Sequence, residues 1–128
     1  MGTHEVISVM EEAFGGMDLP ACISLVDSDG LVIYNIGACD DQLILESLNA
    51  YLIMSFEKTM EQLIVLNEVL DSLVINTGNK VFYIDDLRGG QNMFIIVQTS
   101  PELMNKVLPF LKNVVNTIES ALGGIRSK

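Results

Sequence analysis

Histidine occurs once in these 128 residues, cysteine twice, and lysine and arginine together only seven times. Each shortage excludes a class of function. His4, the single histidine, stands at the N-terminal fringe. Ser-His or Cys-His nucleophilic catalysis therefore has no interior base. Two cysteines and one peripheral histidine cannot build a zinc set, so no metal is expected. Against the seven cations stand seventeen Asp and Glu, for a formal charge of −10. Such a surface repels phosphate backbones, and no basic stripe offsets it, so nucleic acid is not an expected partner. The same charge disfavours docking on anionic lipid, and keeps an apolar chain soluble. The longest apolar runs, Ala50–Met54 and Met93–Val97, fall far short of the ~20 residues a membrane span needs, so direct membrane insertion is not expected. No charged segment followed by an apolar one opens the chain, which makes the cytoplasm the expected compartment. Neither GxxxxGK[ST] nor GxGxxG occurs, so nucleotide binding in either common way, and with it a cofactor, is not expected.

What is present is apolar surface in surplus. Apolar residues make up 49% of the chain and charged residues 19%, where about 25% charged is ordinary. A chain of this length forms one domain, spanning 1–128, and buries roughly two thirds of its unfolded surface. The surplus suggests oligomerisation.

The most informative stretch is Ala21–Gly37, ACISLVDSDGLVIYNIG. Two apolar runs, Cys22–Val26 and Leu31–Ile36, flank Asp-Ser-Asp-Gly, and Asp-Gly between such runs is a strong hairpin signal. Both faces of each arm are largely apolar, which predicts a hairpin inside a sheet covered on both sides. Asp27-Ser28-Asp29-Gly30 resembles the start of a calcium loop only faintly. Glycine falls at position 4 rather than 6 and Ala38 stands at position 12, so a turn stabilised by Asx bonding is the expectation. With Asp29-Gly30 as the turn, residue 22 lies opposite 37 and the Cys22 and Cys39 sulfurs can lie near each other. Nothing marks the chain as secreted, so two small buried hydrophobes are expected rather than a disulfide, their redox state left open.

Before the hairpin, Met1–Met17 reads as a short amphipathic helix capped by Thr3 and ended by Gly15-Gly16. After it, Asp40 or Asp41 caps a long helix running to about Leu70, with Leu45, Leu48, Leu52, Phe56, Leu63, Leu66 and Leu70 on one face. Its other side interleaves charges with Ile53, Met54, Ile64 and Val65. These are either scattered surface apolars or a second contact surface for a partner helix, and the composition favours the second. Ser72–Thr77, Lys80–Asp85 and Met93–Thr99 read as three further strands, the last apolar enough for the centre of a sheet. Gly78-Asn79 and Gly89-Gly90 supply the turns. Ser100 as cap and Pro101 at the first helical position open a final helix with Met104, Val107, Leu111, Val115, Ile118 and Leu122 on one face. Pro109, on its polar side, is expected to kink or restart it. The glycine-rich Arg88–Gln91 reads as a hairpin turn rather than a phosphate cradle, and Arg88 as a solvated charge rather than an arginine finger. The order is α-β-β-α-β-β-β-α. That predicts an α+β fold with a five-stranded antiparallel sheet, a long helix on one face and the N- and C-terminal helices on the other.

These segments resemble the Roadblock family: dynein light chains of the Roadblock type and their single-domain bacterial and archaeal relatives. The resemblance rests on ACISLVDSDGLVIYNIG, with its D-x-DG-L-V turn, the uninterrupted long helix, and LVINTGNKVFYIDDLRGGQNMFIIVQTS as three closing strands. It covers about residues 5–122 of a single Roadblock-like domain, with longin- and profilin-like proteins sharing much of the layout. The resemblance implies a homodimer, or a pair with a paralogous Roadblock protein, joined by the third strand and the long helix. The pairing strand would be Leu73, Val74, Ile75, Asn76 and Thr77; the paired helix would use Ile53, Met54, Met60, Ile64 and Val65. Independently, that strand carries no Lys, Pro or inward charge to protect an exposed edge. The resemblance further implies a non-catalytic adaptor or regulator that binds a small Ras-like GTPase, with no catalytic residues. Alternative readings are a longin-like trafficking module, a dynein-type cargo adaptor, and a small-ligand sensor. The last would need a pocket with convergent polar groups.

Overall fold

The computed structural model describes residues 3–15, 20–87 and 92–121. The Arg88–Gln91 loop, Gly16 and the expected helix stop after Leu122 lie outside them. The chain runs through α1 (Thr3–Phe14), β1 (Cys22–Asp27), β2 (Val32–Gly37), α2 (Gln42–Leu63), β3 (Ser72–Asn76), β4 (Val81–Leu87), β5 (Met93–Thr99) and α3 (Pro101–Ala121). The five strands form one antiparallel sheet in the order β2-β1-β5-β4-β3. This is the predicted α+β architecture.

Strand alternation sorts the core into two layers. On one face Ile23, Leu25, Tyr83, Ile95 and Val97 meet Val6, Met10 and Phe14 of α1 and Leu111, Val115 and Ile118 of α3. On the other, Val26, Phe82, Ile84, Phe94 and Ile96 meet Leu52, Ile53 and Phe56 of α2. Phe56 and Phe94 stand edge to face, ring centroids 5.6 Å apart. β5, flanked by strands and covered on both faces, is buried at all seven positions, as its apolar run predicts.

The hairpin turn closes through Gly30 N–H donating to the Asp27 carbonyl at 3.0 Å. The Asp27 carboxylate accepts from the Asp29 and Leu31 amides at 2.9 and 3.0 Å. This is the expected Asx-bonded turn. Cys22 pairs with Gly37, also as predicted, and the register slips by one residue at Leu25/Val26. The expectation that both arms lie inside a sheet covered on both faces holds for β1; β2 packs on both faces, Val32 toward α2 and Ile33, Tyr34 and Ile36 toward the other helices, but does not lie inside the sheet. With β1 as its one strand neighbour among the described residues, β2 is an edge strand and half-buried.

Helix ends differ from the expected ones for local reasons. Thr3 is the first residue of α1 rather than its cap, and the helix stops at Phe14. Asp41 caps α2, its carboxylate accepting from Leu43 N–H at 3.2 Å. α2 ends at Leu63 instead of near Leu70: Ile64–Leu66 tighten into a 3₁₀ turn and Asn67 takes φ 58°, a left-handed stop. At α3, Ser100 Oγ accepts from Leu103 N–H at 3.3 Å and Pro101 occupies the first position, as predicted. The helix neither stops nor restarts at Pro109, which lies on its exposed side. Water can there take up the Asn105 carbonyl that proline leaves unpaired.

The cysteines also differ from expectation. Gly37, at φ 95°, turns the chain back, and Ala38 N–H donates to the Ala21 carbonyl at 2.9 Å. This brings Cys39 over Cys22, and the two are joined in a disulfide with Cα atoms 4.7 Å apart. Two separate buried thiols are therefore not what the fold contains.

Candidate interaction surface

Both edges of the sheet end in strands with a single neighbour, and the two are treated differently. At β2, Val32 N–H donates to the Glu46 carboxylate of α2 at 2.7 Å. A side chain thus occupies a backbone donor on that edge, and the slip at Leu25/Val26 disturbs it further. β3 pairs with β4 from Ser72↔Asp85 to Asn76↔Val81 and has no strand on its other side among the described residues. Leu73 and Ile75 of β3 turn toward the α2 side and pack at the margin of that core. Val74 points to the α3 side, where it is 53% exposed. Thr77 lies just past the strand, in a turn where its amide donates to the Lys80 carbonyl at 2.9 Å.

The expected helix residues divide. Met54, Ile64 and Val65 are exposed, Val65 at 81%. Ile53 is 1% exposed and belongs to the core beneath α2, so it is corrected from outer to inner face. The reason is helical geometry: Ile53 lies four residues after Asn49 and three before Phe56, both buried, and i, i+3 and i+4 share a face. Met60 is half-buried against the same core. The outer face carries further apolar side chains that the expectation did not include: Leu43, Ile44 and Tyr51 on α2, and Leu66 and Val69 after it. Stepping ~100° per residue from buried Leu45 would have placed Leu43, Tyr51 and Met54 on the far side. Ile64, Val65, Leu66 and Val69, at the C-terminal end of α2 and after it, lead into β3, whereas Val74 is exposed on the opposite face of that strand and Leu43 and Ile44 lie at the other end of the helix, where Glu46 reaches β2.

Elsewhere, an open recess of about 360 Å³ lies between α1 and α3, lined by Val9, Phe110 and Val114 among others. Asp71, Ser72, Tyr83, Asp85, Lys112, Val115 and Asn116 line a cavity of about 150 Å³ between β3, β4 and α3. Inside it Tyr83 Oη donates to the buried Asp85 carboxylate at 2.6 Å. Its volume is below the roughly 300–1,000 Å³ of ordinary ligand sites. Among the described residues no three His, Cys, Asp or Glu side chains gather as a metal site, and no helix is long and apolar enough to cross a membrane. Arg88 lies outside the described residues.

Three helices on a five-stranded antiparallel sheet, the long one on one face and two on the other, make an α+β fold of the Roadblock or longin-like kind. Solved structures carry the comparison further. MglB of Myxococcus xanthus matches with a TM-score of 0.74 at 12% identity, covering 96% of this chain and 98% of that one. The gliding protein MglB of Thermus thermophilus matches at 0.70 and 18% identity, with 94% and 91% covered. A Roadblock/LC7 domain from Streptomyces avermitilis matches at 0.57 and 15% identity, with 82% and 96% covered. No family model matches the sequence, and no curated protein does. The chain therefore has the fold of MglB and Roadblock/LC7 proteins.

Proposed function

We propose that this chain is a homodimeric Roadblock-type regulator, without activity of its own, that binds a small Ras-like GTPase. The observation that carries the reading is the apolar side chains exposed along the outer side of α2 and its continuation, beside an edge strand with no protecting charge. Exposed apolar surface of this kind marks protein contacts. An unguarded edge strand is a template for pairing with another chain. A two-fold pairing of β3 with its counterpart would resolve both, extending the sheet across the dimer and apposing the two long helices. Leu73–Thr77 supply the strand; Met54, Ile64 and Val65 supply the helix contact, joined by Tyr51 and Leu66. Ile53 and Met60 would support that contact from beneath.

The GTPase reading rests on the sequence resemblance together with the fold shared with a gliding protein. The acidic surface favours a partner whose docking face carries positive charge. The test is capture from the native host with the tagged full chain, followed by identification of the retained proteins. A Ras-like GTPase among them is the expected result. Capture of other proteins with no Ras-like GTPase would contradict the reading.

A further inference from the structure

The disulfide holds more than the hairpin. Cys22 is on β1 and 1% exposed; Cys39 is partly exposed and stands two residues before Asp41, the cap of α2. The bridge therefore ties the start of α2 directly to an interior strand. Other contacts under the first two turns of α2 are few. The apolar core on this face uses Leu52, Ile53 and Phe56, with Leu48 at its margin. Nearer the start of the helix, the sheet instead presents Ser24, paired with Ile96 of that core layer, and Asn35, paired with Ser24. On the same side of the sheet, Asn49 of α2 is fully buried, and neither its amide oxygen nor its nitrogen has a hydrogen-bond partner. The Asn35 side-chain oxygen is unpartnered as well. Buried polar groups are ordinarily bonded, so this seam opposes the seating of the helix. Beyond the bridge, Leu45, the Glu46 bond to Val32 and the close approach of Gly30 to the Asn49–Ala50 backbone do the holding.

We propose that the Cys22–Cys39 disulfide is a redox latch on the first two turns of α2, opened by a dithiol reductant. The reductant's thiolate attacks Sγ of Cys39, the accessible half of the bridge. The sulfur–sulfur bond breaks, its electron pair passes to Cys22 Sγ, and that sulfur takes a proton. Ser24 Oγ, 3.5 Å from Cys22 Sγ, is placed to donate to the leaving thiolate. The second thiol of the reductant then attacks its own sulfur in the mixed disulfide, releasing Cys39 as a thiol and leaving the reductant oxidised. With the latch open, the polar seam is free to hydrate and the early turns of α2 loosen. The half of α2 that rests on Leu52, Ile53 and Phe56 stays seated. The early turns carry Leu43 and Ile44 on their outer side, so the latch sets how one end of the apolar surface is presented. This does not depend on what docks there.

The test is hydrogen exchange read by mass spectrometry on the full chain, as purified under air and after treatment with a dithiol, with thiol labelling in parallel. The expected result is no labelled thiol before treatment and both cysteines labelled after it. Protection over residues 40–50 should then fall by about tenfold or more while β4, β5 and the second half of α2 keep theirs. The C22A/C39A variant should show the loosened pattern without reductant. Free thiols in the air-exposed protein, unchanged exchange over 40–50, or loss of protection across the whole sheet would each overturn the proposal.

Discussion

Single residues decide the junctions between layers. Gly30 holds φ 90° where the hairpin turn meets α2, and a Cβ there would lie 2.6 Å from the Ala50 amide nitrogen, a backbone atom of the helix. Gly78 holds φ 95° in the β3–β4 turn with nothing within 4 Å. Gly78→Ala carries only the left-handed strain and should cost about 1–2 kcal/mol in urea unfolding. Gly30→Ala adds a clash with the helix backbone and should cost about 3 kcal/mol or more. Equal costs would show that α2 does not press on the turn. A second residue-scale effect lies at Tyr34 on β2. Burial, then a hydrogen bond to Glu11 and the charge of that carboxylate, push its phenol above the ordinary 10.0. The folded protein thus holds this proton more tightly than the unfolded chain. Its contribution to stability is intact below pH 10 and is lost as pH rises through the folded value. Ultraviolet difference titration of the parent against Tyr34→Phe should show that the missing phenol ionises above 10.0. Glu11→Gln should move it part of the way back, leaving the share due to burial.

At the scale of elements, the sequence was most readable where a local rule met no competitor. Asp-Gly between apolar runs marked the hairpin, Ser100-Pro101 marked the start of α3, and the apolar run Met93–Val97 marked the central strand. The end of α2 was not readable because Asn67, rather than glycine or proline, provides the left-handed stop. The inward position of Ile53 was masked by neighbouring charges, although its spacing from Asn49 and Phe56 encodes it. The bridge between Cys22 and Cys39 depended on the fold of the Gly37–Cys39 connection, which spacing alone does not specify. Two predictions belong here. α3 runs through Pro109 on its exposed side, so Pro109→Ala restores a backbone donor and should stabilise the protein by up to about 3 kcal/mol in thermal or urea unfolding. Val74→Lys places a charge on the β3 edge. It should leave the unfolding midpoint of the isolated chain within about 1 kcal/mol of the parent. Because a two-fold interface carries the change twice, self-association should weaken by about tenfold or more.

At the scale of the whole molecule, an acidic exterior and an apolar contact face act against each other. Each copy carries a formal charge of −10, so two copies repel until salt screens them, while the apolar contact itself needs no charge. Dimerisation should therefore tighten as sodium chloride rises from low to physiological ionic strength, measured by sedimentation equilibrium. A weakening would point to an interface held by ion pairs. The central claim, that the β3 edge and the outer side of α2 are a contact surface for a second copy, is tested most directly by static light scattering on the full chain at micromolar concentration. A dimer gives a particle of twice the 14.1 kDa chain mass; a stable particle of the single-chain mass would rule this contact surface out.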